Sequence, residues 1–146
     1  MTAASTHPDA QALQDRLVGF IRAFGLHQPE RTPCGQPIPV SEAHALAELA
    51  RDPPLGQAEL ARRLGLEKST VSRLVGQLAG RGWLHRRPDP DDGRATLLAL
   101  TPTGQQAAAD LAAARAAKFA RLLDRIPPAE RAAVLGALDT LTEALR

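Results

Sequence analysis

Between Gln57 and Leu78 the chain reads QAELARRLGLEKSTVSRLVGQL, two short helix-forming runs separated by one glycine. The apolar positions dictate how the runs meet. Leu60 and Leu64 on the first must face Val71 and Leu74 on the second, with Leu66 and Leu78 extending the contact. Ala61 has to be small because the second helix crosses it closely, and Gly65 has to permit the turn. The spacing predicts helices over 57 to 64 and roughly 68 to 79. Gly56 opens the first, Glu59 sits near the positive end of its dipole, and Gly80 or Gly82 closes the second. Left on the outer face of the second helix are Lys68, Ser69, Thr70, Ser72, Arg73 and Gln77. In a helix-turn-helix the first helix braces the second so that this outer face enters a major groove, where such side chains donate to phosphates or base edges. A solvated pair of helices in an ordinary helical domain is the alternative, and it has no need to combine the small crossing residue, the glycine and an acid-poor outer face.

Beyond Arg81-Gly82-Trp83, the extended runs WLHRR and ATLLAL flank PDPDDGR, which reads as a hairpin with a longer loop. A strand, loop and strand after a reading helix form a wing whose tip reaches the neighbouring minor groove. Arg94 is the natural probe there, because a guanidinium is drawn to the negative potential of a narrow groove. Arg86, on the first strand, joins the DNA-facing set. Asp92, two residues before Arg94, is placed to hold that guanidinium in a forked pair. Unpaired acids at the tip repel phosphate, so at least one of Asp89, Asp91 and Asp92 should engage an arginine, with Asp89 the one best read as a turn residue.

The charge distribution matches this reading. A formal net charge of +2 over 146 residues is too small for a polycation that coats nucleic acid or membrane. Yet residues 62 to 94 hold eight basic side chains against four acids, so the remainder is net acidic and the basicity is local. The length is that of one domain. Alanine and leucine dominate and aromatics are 3% of residues, so the core should consist of aliphatic stripes on helices. The expected fold class is mainly α with a small β-hairpin wing.

MTAASTHP has no apolar period and reads as a disordered tail, residues 1 to 8, before a single domain over 9 to 146. Leu13, Leu17, Phe20, Ile21 and Phe24 predict a helix that starts at Asp9, ends near Gly25 to His27 and buries a stripe. Pro29, Pro33, Pro37 and Pro39 keep the following loop out of helix, and its length hints at a role beyond connection. Ser41 is the expected cap of the next helix, with Val40 as a staple, Leu46 and Leu49 inward and Pro53-Pro54 as the stop. Thr101-Pro102 opens a long helix to Ile126, carrying Leu111, Phe119 and Leu122. A last helix over 129 to 146 carries Leu135, Leu138, Leu141 and Leu145. These stripes are more apolar surface than a short reading head covers, and Ala107, Ala112 and Ala114 permit close approach between subunits. Residues 9–40 and 102–146 are therefore read as dimerisation helices and loop around a winged helix-turn-helix region at 41–101. A two-fold pair reads half-sites about one helical turn apart. The rival, an intramolecular bundle, lacks a short loop to fold the first helix onto the last.

The single cysteine, Cys34, excludes an internal disulfide, and with no signal peptide or membrane-length apolar run the expected compartment is the cytoplasm. Three readings of Cys34 stay open. It is a redox switch, a zinc ligand with His44, Glu42 or His27, or a small packed residue. No C-x-x-C or H-x-x-x-H spacing is present. No nucleophile is partnered with a base and no glycine-rich phosphate loop occurs, so neither an enzyme nor a cofactor is expected.

LARRLGLEKSTVSRLVGQLAGRGWLHRRPDPDDGRATLLALTPTG, residues 60 to 104, strongly resembles the MarR family of winged helix-turn-helix transcriptional regulators. The most specific part is the wing, Asp92-x-Arg94 followed by Leu98-x-Leu100-Thr101 and Gly104. The resemblance implies that the helix holding Ser69, Thr70, Ser72 and Arg73 reads the major groove of a pseudo-palindromic double-stranded DNA operator. It implies that Arg94 enters the minor groove, and that the first and last two helices form a symmetric homodimer. It further implies a repressor released by a small-molecule effector or an oxidant, with a pocket between the first two helices, the dimer helices and the reading head. Phe20, Phe24 and His44 are placed to line that pocket. Relatives that sense organic peroxides carry their reactive cysteine in the first helix, so Cys34 in the loop is a departure. The alternatives are an oxidant- or zinc-responsive regulator using Cys34, and a winged-helix module that docks protein.

Overall fold

The computed structural model describes residues 7–146; of the expected tail, residues 1–6 lie outside the described residues. The chain runs through α1 (Ala10–Phe24), α2 (Val40–Arg51), β1 (Leu55–Gly56), α3 (Gln57–Leu64), α4 (Lys68–Gly80), β2 (Leu84–Pro88), β3 (Thr96–Leu100) and α5 (Pro102–Asp124). A 3-10 turn at Pro128–Glu130 then leads into α6 (Arg131–Ala144). The sheet has the order β1-β3-β2, all antiparallel.

The core is built where the apolar periods of the central helices converge on the sheet. Leu46 and Leu49 of α2, Leu60 of α3, Val71, Val75 and Leu78 of α4, Leu98 of β3 and Leu111 of α5 form one buried cluster. Each such side chain contributes about 1.5–3 kcal/mol by leaving water. Gly65 turns α3 into α4 with φ 63°, a left-handed conformation that a side chain disfavours. Leu60 and Ala61 are buried at the crossing, as the spacing requires.

Thr101 closes the wing and opens α5 at once. Its hydroxyl accepts from the Gly104 N–H at 3.0 Å and donates to the Gly82 carbonyl at 2.6 Å, while its own N–H donates to the Trp83 carbonyl at 2.9 Å. A methyl group at Gly104 would overlap that same Trp83 carbonyl. The start of α5 thus lies directly on the chain that leaves α4.

Several boundaries differ from expectation. Ser41 does not cap α2: Pro39 holds the cap position and Ser41 lies exposed in the first turn. The Val40 N–H, an orphan donor at a helix start, is already satisfied by the Pro29 carbonyl at 2.9 Å across the loop. β1, unforeseen because two residues carry no pattern, pairs Leu55 with Leu98 and Gly56 with Leu97 and fastens the start of α3 to the wing. α5 ends at Asp124, and α6 begins only after the 3-10 turn.

The stripe of α1 is not buried within the chain. Leu13, Leu17 and Phe20 stand 50%, 43% and 46% exposed, and on α6 Leu135 and Leu138 stand 59% and 48% exposed. Ala107 is half-buried against the chain's own core, whereas Ala112 is exposed. Among the described residues, no helix is long and apolar enough to cross a membrane.

Candidate nucleic-acid interface and effector cavity

The outer face of α4 follows from the inner one. With Val71, Leu74, Val75 and Leu78 buried, Lys68, Ser69, Ser72, Arg73 and Gln77 are exposed and Thr70 is half-buried. Arg86 joins them from β2: a Cβ on Gly76 would lie 3.8 Å from its Nη2, so the guanidinium reaches across to the outer face of α4. Sequence spacing brings these groups to one surface, and the loop between β2 and β3 carries Arg94.

The wing tip is held by its own acids, though not as a forked pair. The Arg94 N–H donates to Asp92 Oδ1 at 3.0 Å, and the Asp91 N–H donates to Asp89 Oδ1 at 2.9 Å. Both are local turns in which a short carboxylate captures a backbone N–H two residues on, an arrangement that orders far fewer rotatable bonds than a long guanidinium does. Among the described residues, no acid of the tip pairs with an arginine side chain, against expectation. Arg94 lines a groove of about 270 Å³ together with Lys68.

Ion pairing divides the basic residues into two sets. On α3, Arg62 donates to Glu59 at 2.8 Å, and Arg63 donates to Asp52 at 2.8 Å and to Glu59 at 3.1 Å. These bonds, from Arg62 first and Arg63 second, hold the Glu59 carboxyl well down, to about 2. Arg81 donates through Nε to Oε1 of buried Glu42 at 2.8 Å. Of the eight basic residues between 62 and 94, these three are consumed. Lys68, Arg73, Arg86, Arg87 and Arg94 have no carboxylate partner among the described residues. Within residues 62–94, the cations without a carboxylate partner among the described residues are those of α4 and the wing.

On the other side of α2 lies a cavity of about 260 Å³ with apolar walls, lined by Phe24, Pro33, Cys34, Ala43, His44, Arg115, Lys118 and Phe119 among others. The Phe24 and Phe119 rings meet with centroids 5.6 Å apart, and Lys118 Nζ sits 5.3 Å from the Phe24 centroid. Partial desolvation lowers the pKa of His44, which keeps much of its surface in solvent; the Arg115 charge lowers it further, and Glu48 opposes both. Of the three expected lining residues, Phe24 and His44 are present. Phe20 is not; it stacks on Phe24 at 5.5 Å and lines a neighbouring open cleft. Arg115, Lys118 and Phe119 are the residues that sequence reasoning missed. Their signal is an i, i+3, i+4 triplet on α5.

The zinc reading of Cys34 is corrected by its neighbours. Glu42 is held by Arg81 and is not free to ligate. Among the described residues, no group of three His, Cys, Asp or Glu side chains is placed to hold a metal ion. The half-buried Cys34 thiol instead lies 3.0 Å from the Thr32 hydroxyl, which accepts from the Gln36 N–H at 2.9 Å, and it packs against the core.

Comparison with known proteins places this geometry. A family model described as MarR family matches residues 36–95. A putative transcriptional regulatory protein for the hcr operon of Thauera aromatica is 32% identical over 96 residues, which are 66% of this chain and 58% of that protein. The match thus spans less than two thirds of that relative's length. The PcaV transcriptional regulator of Streptomyces coelicolor, solved in complex with its natural ligand, is 25% identical with a TM-score of 0.71, both chains covered in full. Streptococcus pneumoniae FabT, solved in complex with DNA, shares the fold at 20% identity and a TM-score of 0.78, with 94% of this chain and 97% of that one covered.

Proposed function

The chain belongs to the MarR family of winged helix-turn-helix transcriptional regulators, and from that premise we propose that it is a sequence-specific DNA-binding regulator acting as a homodimeric repressor. Residues 41–101 are the DNA-binding region. Lys68, Ser69, Thr70, Ser72, Arg73 and Gln77 face the major groove with Arg86 beside them, and Arg94 enters the minor groove. The observation that carries this reading is the division of the cations: those of α3 are spent on carboxylates, while those of α4 and the wing are left for phosphate and base edges. Residues 9–40 and 102–146 form the dimer, supported by the exposed leucines of α1 and α6, which are too many to leave in water.

Release by a small effector is the reading for the cavity beside α2. Its apolar walls with two cations at one side suit a small ligand with a flat apolar body, and a PcaV structure carries its natural ligand. The test is binding to duplexes from the DNA beside this protein's own gene, followed by footprinting and a salt titration. Specific binding should fall steeply as salt rises, in proportion to the phosphates neutralised. Arg94→Ala should weaken it while sedimentation still reports a dimer. Binding indifferent to salt would move the reading to a protein-docking module.

A further inference from the structure

We infer that the groove between the wing tip and the starts of α3 and α4 seats one backbone phosphate of bound DNA, held by Lys68 and Gln57 beside Arg94. The inference rests on the DNA-binding reading and adds to it a residue, Gln57, and a defined contact. Three chain segments end at this groove. The pairing of Gly56 with Leu97 fastens the first residue of α3, Gln57, to the wing strand, and α4 begins at Lys68 on the other side. The groove measures about 270 Å³, and its polar lining is Gln57, Lys68, Arg94 and Thr96. No carboxylate lines it.

Charge makes the groove selective for an anion. Lys68 and Arg94 both line it, and neither has a carboxylate partner among the described residues. Asp92, two residues before Arg94, spends an oxygen on the Arg94 N–H. An ammonium and a side-chain amide are together a donor set for the two non-bridging oxygens of a phosphodiester. The groove lies between the reading helix and the wing, so an anion in it belongs to the strand that runs from the major groove to the minor groove. A free phosphate ion shares that chemistry, and the experiment separates the two sources.

The experiment measures affinity of the full chain for its operator and for mismatched duplexes across a salt series. Lys68→Ala should weaken both alike, by about fivefold, and make the salt dependence shallower by about 0.9 in log–log slope. Lys68→Arg should restore the slope. Gln57→Ala should weaken binding without changing the slope, since it carries no charge. A neutral methylphosphonate placed in turn at each linkage should identify one position per half-site at which the Lys68→Ala loss disappears. A loss that depends on base sequence, or an unchanged slope, overturns the seat while leaving DNA binding intact. Inorganic phosphate shifting the Lys68 resonances equally without DNA reassigns the groove to a free anion and also overturns it. An unmodified protein that binds no duplex overturns the DNA-binding reading first.

Discussion

Arg81 reaches across 39 residues of sequence to lay its guanidinium on the carboxylate of Glu42, Nε to Oε1 at 2.8 Å and Nη2 to Oε2 at 3.3 Å. The Glu42 side chain is 3% exposed and that of Arg81 37%, so one charge is inside and the other at its door. The guanidinium also lies 5.1 Å from the Trp83 ring centroid. The pair ties α2, which walls the cavity, to the residue that ends α4.

Arg81→Ala leaves a buried carboxylate without its partner. The expected cost is about 2–3 kcal/mol, below the range for fully buried pairs because water still reaches the site from the arginine side. Glu42→Gln keeps an acceptor for Arg81 and should cost less than Arg81→Ala. Urea unfolding of the two variants measures both; negligible losses would show that the pair is idle, and equal losses that the charge of Glu42 matters and not merely an acceptor.

Gly104 tests the joint between the wing and α5. A methyl group there overlaps the Trp83 carbonyl, which is backbone and has no rotamer to yield. Gly104→Ala should therefore destabilise the fold by about 1–3 kcal/mol, even though alanine is the better helix former. A melting temperature equal to or above the parent's would refute the steric account.

Asp92 distinguishes two ways of shaping the wing. A forked pair needs the charge, whereas the observed turn needs only an acceptor two residues before the Arg94 N–H. Asparagine keeps that acceptor. Asp92→Asn should bind operator DNA as the parent does, while Asp92→Ala should lose about 1 kcal/mol of binding as the tip loosens. Equal losses in both would restore the charge to the explanation.

What was legible in the sequence depended on whether the cause was local. The bounds of α3, the turn at Gly65 and the cap at Thr101 follow from period and from single residues that act on their neighbours. The outward set on α4 follows from the inward one. The Glu42–Arg81 pair has no such trace, because nothing near either residue announces a partner so far along the chain. β1 is too short to show a period. The α5 side of the cavity was readable in principle, but alanines fill so much of that helix that Arg115 and Lys118 look like solvated charges until α2 is seen beside them. At the wing tip the error was one of competition: Asp92 had two partners in reach, and the nearer N–H won.

His44 links the cavity to pH. Its pKa is lowered in the folded chain, by partial desolvation first and by the Arg115 charge second, with Glu48 pulling the other way. The unfolded chain, with an ordinary value of 6.5, therefore holds the proton more tightly than the fold does. Stability contributed by the neutral ring is complete above that value and is lost as pH falls below it, down to the folded-state pKa. His44→Gln removes the titration and keeps a polar side chain of similar reach. Unfolding free energies measured from pH 8 to about pH 5 should decline more steeply for the parent than for His44→Gln, since background carboxylates titrate equally in both. Parallel curves would mean that the ring protonates in the fold as freely as it does in water.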